Sequence, residues 1–179
     1  QHLRLAQDHE DAPQRFADAA FTLGAAALED GDYEKAIAWL EQLPREGEAL
    51  DALNRASYAY ADSLEKAGYA ESAALEFAAL GGYEDADERA DKLEYGIALG
   101  EMETAPESAL LRFEGLGKYK DAPEQAQVCR YTIARMRYDE GKYEDALARF
   151  EALGSYEDAK LQVRRSRYAL AGQRVAEEK

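Results

Sequence analysis

The chain has 179 residues, enough for one domain or at most two, and its net charge of −15 argues against the basic stripe of a nucleic-acid footprint. One cysteine, Cys129, leaves no intrachain disulfide to form, and no apolar run reaches the roughly 18 residues of a membrane span. Ala, Leu, Glu, Lys, Arg and Gln dominate while Val, Ile and Thr are scarce, a mix that favours helix.

Tyr58, Tyr95, Tyr131 and Tyr168 recur at intervals of 37, 36 and 37 residues, and Phe21 extends the series by one step of 37. A fixed period of this size marks a protein built of stacked repeats. Taken in chain order, a long helix is predicted over 11–29 and a short one over 32–43, where Tyr33, Ala36, Ile37, Leu40 and Leu43 line one helical face. A second pair follows over 49–66 and 69–80, with Ala70, Ala73, Ala74, Phe77 and Leu80 in the stripe. The third pair covers 85–101 and 105–116, with Pro106, Ala109, Leu110, Phe113 and Leu116. The fourth covers 121–139 and 142–153, with Tyr143, Ala146, Leu147, Phe150 and Leu153, and a final long helix runs over 158–176. A connector, Leu-Gly-x-Tyr-x-Asp-Ala, joins successive pairs at Leu80–Ala86, Leu116–Ala122 and Leu153–Ala159. It is faint at His9–Ala12 and degenerate at Pro44–Ala49. Neither helix of a pair can bury its apolar face alone, so the expected fold is all-α, a single repeat domain over 1–179 made of stacked antiparallel helix pairs.

The connector aspartates read as helix caps. Asp11, Asp85 and Asp121 each stand three residues before Gln14, Glu88 and Glu124, a capping-box spacing, and Asp158 keeps the cap without the partner. Thr104 and Glu107 form a further box ahead of a short helix. Gly31, Gly68 and Gly141 align with Thr104, and they either cap the short helix or close the long one in a left-handed turn.

These residues resemble the tetratricopeptide repeat. That family carries a small residue late in the first helix, then Gly-x-Tyr, then Ala and an aromatic at helical spacing. Here the match is Ala134, Gly141, Tyr143, Ala146 and Phe150 in the fourth pair, and Gly24, Gly31, Tyr33, Ala36 and Leu40 in the first. The period departs from the family's value of about 34. The connector replaces the family's proline-bearing turn, and the early tryptophan is absent. The resemblance implies a right-handed superhelical α-solenoid whose long helices line a concave face that binds extended peptides. It also implies a non-enzymatic scaffold for protein or peptide partners. The expected setting is part of a larger bacterial protein, cytoplasmic or an extracytoplasmic portion of it. A structural spacer, a self-associating module and a peptide-sensing regulatory domain are the alternatives.

No chemistry is legible. The histidines, His2 and His9, stand alone at the amino end, no Cys/His cluster has metal-ligand spacing, and no cofactor is expected. The candidate groove residues are Tyr58, Tyr95, Tyr131, Arg135, Tyr138 and Tyr168. The tyrosines either wedge between helix pairs as packing or present rings to a ligand. The slots that Arg135 and Tyr138 fill hold Asp62 and Glu65, then Leu99 and Met102, in other repeats, so the face is expected to change character along the chain. Arg164, Arg165 and Arg167 add positive charge near Tyr168, suited to an acidic peptide. Charge is uneven overall: residues 1–110 hold 8 Lys+Arg against 25 Asp+Glu, and residues 111–179 hold 14 against 12. Trp39 occupies a slot that is charged in the sister repeats, either covered by the connector at 44–48 or exposed as a contact.

Overall fold

A computed structural model of the chain describes residues 11–177. Among the described residues there are nine α-helices and no strands: α1 (Ala12–Glu29), α2 (Tyr33–Leu40), α3 (Gly47–Lys66), α4 (Ala70–Leu80), α5 (Ala86–Glu101), α6 (Pro106–Leu116), α7 (Ala122–Asp139), α8 (Tyr143–Leu153) and α9 (Ala159–Glu177). The sequence places every one of them within a few residues. The largest differences lie at α2, which stops three residues early, and at α3, which starts two residues early, both beside the degenerate connector. Two compact units divide at Leu93 and Glu94, within α5.

In the first unit, α1 packs on α2, α2 on α3 and α3 on α4. Its core is two clusters. One gathers Ala20, Ala27, Ala36, Leu40, Leu43, Ala52, Leu53 and Ala56, and the other Ala61, Ala73, Phe77, Ala86 and Ala90. Trp39 is half-buried against the first cluster, so part of its indole packs and part faces solvent. In the second unit, α6 packs on α7, α7 on α8 and α8 on α9. Its clusters centre on Phe113 with Cys129, and on Phe150 with Ala134 and Ala159. The predicted stripe explains the pattern. Leu40, Phe77, Phe113 and Phe150 fill the same slot of the short helices, and all are essentially inaccessible. Around them sit alanines at fixed slots, such as Ala36, Ala73, Ala109 and Ala146, each with no exposed surface. Small residues let the helices approach closely, and the large rings then fill the space between them. Gly24 carries this furthest, since a Cβ there would stand 2.7 Å from Leu40 Cγ.

The hairpin turns settle the open question about the glycines. Gly31, Gly68 and Gly141 have φ of 77°, 86° and 77°, and each closes the preceding long helix. The bonds are those of a Schellman motif: Gly141 N–H donates to Tyr138 O at 3.0 Å and Lys142 N–H to Arg137 O at 2.9 Å, with equivalents at Gly31 and Gly68. The third pair lacks this turn. Its tyrosine slot is one residue nearer the short helix than in the other pairs, α5 ends at Glu101, and Ala105 N–H bonds Glu101 O at 2.7 Å. The single 36-residue interval therefore arises before α6, where the glycine cap is missing: α5 runs six residues past its tyrosine where α3 and α7 run eight, and the turn that follows has four residues where theirs have three.

The capping assignments need correction. Ala105, not Thr104, is the N-cap of α6, and its side chain has no oxygen to accept a cap bond. Asp11 and Asp121 hold N-cap positions without a side-chain cap bond. The connector aspartates are occupied elsewhere, and the residue before each is left-handed: Glu84, Lys120 and Glu157 have φ of 49°, 46° and 45°. Gly47 takes the same slot in the degenerate connector with φ of 53°, so that connector keeps the backbone turn while losing the tyrosine and aspartate. The readings made on His2 and His9 lie outside the described residues.

Candidate functional site

Each interior tyrosine slot is the centre of a four-residue cluster. The Tyr58 ring meets Phe77 edge-on at 5.4 Å and Tyr83 at 6.0 Å, and its hydroxyl donates to Asp85. Tyr95 repeats this with Phe113 at 5.8 Å, Tyr119 at 5.8 Å and Asp121. Tyr131 does so with Phe150 at 5.9 Å, Tyr156 at 5.9 Å and Asp158. The tyrosine, the short-helix phenylalanine and both named residues of the connector thus converge. Perpendicular ring pairs of this kind are favourable beyond their buried area. The hydrogen bonds to Asp85 and Asp121 raise the Tyr58 and Tyr95 hydroxyls above the ordinary phenol value, and burial followed by the Asp158 bond raises Tyr131. The same bonds hold the Asp121 and Asp158 carboxyls below the usual carboxylate value.

Tyr168 is different: it is 85% exposed. Tyr138 packs edge-on against Tyr143 at 5.2 Å, at the rim of the Phe150 cluster. Arg135 is exposed, one turn beyond Tyr131. Within the second unit Tyr131, Arg135 and Tyr138 thus follow one another at helical spacing on α7, with Asp158 bonded to the first of them.

The first unit revises the expected acidic patch. Arg89 Nη2 lies 2.8 Å from Asp62, its Nε is 3.1 Å from Glu65, and its Nη1 donates to the Tyr58 hydroxyl at 3.1 Å. The guanidinium also sits 4.2 Å from the Phe77 ring centroid. Burial disfavours this cation, but the bonds to Asp62, Tyr58 and Glu65 outweigh burial and raise its pKa. Hydrogen bonds from Lys66 and then Arg89 lower Asp62. The two acids are thus engaged internally. Beside them, Leu28, Arg55, Tyr58, Ala59, Tyr83, Glu84 and Asp85 line an open cleft of about 590 Å³. Arg55 in this cleft is exposed, and sequence reasoning passed over it. Its signal was available, because Lys92 and Arg165 stand at the same place, three residues before their tyrosines.

Cys129 is fully buried, and burial pushes its thiol up, as befits a packing residue. Among the described residues, no group of three or more His, Cys, Asp or Glu side chains is placed to hold a metal ion, and no helix is long and apolar enough to cross a membrane. No model of a known protein family matches the chain, and no curated protein matches it.

Proposed function

We propose that the protein is a non-enzymatic, tetratricopeptide-repeat-like scaffold that binds an extended protein segment on the face of its long helices, as part of a larger bacterial protein. The observation that carries this reading is the cleft against Tyr58. It joins an exposed cation, Arg55, and the acids Glu84 and Asp85 to the rings of Tyr58 and Tyr83, with Leu28 and Ala59 as apolar lining. Such a mixture suits a peptide side chain with its backbone alongside. The ring cluster supports the reading from below, since a pre-organised frame lowers the ordering cost of binding. Right-handed superhelical stacking belongs to the same proposal, and small-angle scattering tests it. For binding, a displayed peptide library should enrich a common motif, and Arg55→Glu should weaken capture while leaving the helical circular dichroism intact. A library that enriches nothing, or capture indifferent to the face of the long helices, overturns the reading.

A further inference from the structure

Interior short helices are clasped between two long ones in one recurring way. Phe77 of α4 shares a cluster with Ala61 of α3 and Ala90 of α5, and Phe150 of α8 shares one with Ala134 of α7 and Ala159 of α9. A long helix therefore has two working faces. One follows its tyrosine: Ala61, Ala98 and Ala134, three residues on, have no exposed surface. The other meets the preceding short helix through the slot of Leu53, Ala90 and Ala126, all buried. Among the described residues, two such faces are uncovered. On α9, Tyr168 is 85% exposed, and Ala171 and Val175 on the same face are exposed as well. On α1, Phe16 and Leu23 are 49% and 44% exposed, although Phe16 holds the slot of Leu53. The tyrosine–aspartate series leaves the same two remainders: Tyr168 as its last tyrosine, and Asp11, whose side chain makes no cap bond, as its first aspartate. The two helices are also opposite in charge. Residues 159–177 hold 5 Lys+Arg against 1 Asp+Glu, and residues 11–32 hold 1 against 5. By period, Leu3 stands in the slot of Phe77 and Phe150, although it lies outside the described residues.

We infer that the chain associates head to tail, the tyrosine face of α9 taking the amino-terminal end of a second copy so that Tyr168 donates its hydroxyl hydrogen bond to that copy's Asp11. The occupant is a second copy because the amino end of this chain carries each complement the α9 face lacks: acidic charge, an uncommitted aspartate and an apolar residue in the phenylalanine slot. The contact repeats the packing between the chain's own helix pairs, so apolar burial and ring contacts drive it. Opposite charge favours this pairing over α9 against α9. Because the two faces differ, each added copy presents a fresh face of each kind, and association continues with concentration unless it closes into a ring.

The test follows the mass of the 179-residue chain by light scattering as concentration rises. The mass should climb, and added salt should lower it. Tyr168→Glu and Phe16→Lys should each weaken association by about tenfold or more, because each sets a charge in an apolar contact. Mixing these two variants should restore a complex, since each keeps the face that the other has lost. Leu111→Lys, at an exposed leucine outside both faces, should change nothing. Circular dichroism checks that every variant keeps its helices, and Val175→Glu with Leu23→Lys repeats the pair if one of the first two does not. A monomer at every concentration up to about 1 mM overturns the inference. So does a loss with Tyr168→Glu alone, which would mean α9 against α9, and so does a mixture that stays monomeric. An equal loss with Leu111→Lys would mean unspecific adhesion and overturns it too.

Discussion

The tyrosine hydroxyl is the residue-scale device on which the repeat turns. It crosses from one helix pair to the connector and bonds an aspartate 26 or 27 residues later. Replacing Tyr131 by Phe keeps the ring contacts and leaves Asp158 without its donor. The expected loss is about 1 kcal/mol in urea unfolding, because both groups remain partly solvated. The sign with pH follows from the shifts. The lowered Asp121 and Asp158 carboxyls contribute stability above about pH 4 that is lost as pH falls through their native values. The raised tyrosines contribute below about pH 10, and that part is lost as pH rises through their native values. The urea midpoint should therefore hold level between these limits and fall at both, with Tyr131→Phe shrinking each fall. A second residue stands out for the opposite reason. Ser166 is fully buried and its hydroxyl has no hydrogen-bond partner among the described residues, whereas the equivalent position one repeat earlier holds Cys129. Ser166→Cys removes the unmet hydroxyl for a slightly larger thiol, which the equivalent position already holds at Cys129, so thermal unfolding should shift upward by about 1 kcal/mol of stability.

At the scale of elements, the helices were legible because the apolar stripe repeats four times in one register. Truncating its largest member tests that stripe: Phe150→Ala should cost about 3–5 kcal/mol, read from the denaturant midpoint. What could not be read was the work of the connector aspartates. Asp three residues before Glu or Gln is a local signal for a cap. The acceptor is taken instead by a hydroxyl far away in sequence, which no local pattern announces, although the constant offset between Tyr131 and Asp158 and their sisters contained it. The left-handed residue was hidden for a similar reason, since Glu84, Lys120 and Glu157 are not turn formers. Glutamate in that conformation is strained. Glu157→Gly, copying Gly47, should be neutral to stabilising by up to about 1 kcal/mol in the same assay, despite the entropy that glycine adds to the unfolded chain.

For the whole molecule, the candidate site was only partly legible. The tyrosine series marked one face of the long helices, yet Tyr58, Tyr95 and Tyr131 spend most of their ring surface on packing, and the exposed cations near them are Arg55, Arg135 and Arg165. Two of the expected acids, Asp62 and Glu65, are consumed by Arg89, a partner 24 to 27 residues away that a single helical face does not reveal. The net charge of −15 also predicts that moderate salt raises the unfolding midpoint by screening self-repulsion. The hairpin turn ahead of α6 has a practical meaning of its own. Its unit is one residue short, yet the Tyr95, Phe113, Tyr119 and Asp121 cluster assembles as it does in the longer units. The stretch between the tyrosine and the short helix therefore accepts a one-residue change, taken up by the helix end and the turn together, without disturbing that ring cluster. It is the place where an evolving or engineered version of this chain can gain a loop, a tag or a second recognition element while the repeats keep their spacing.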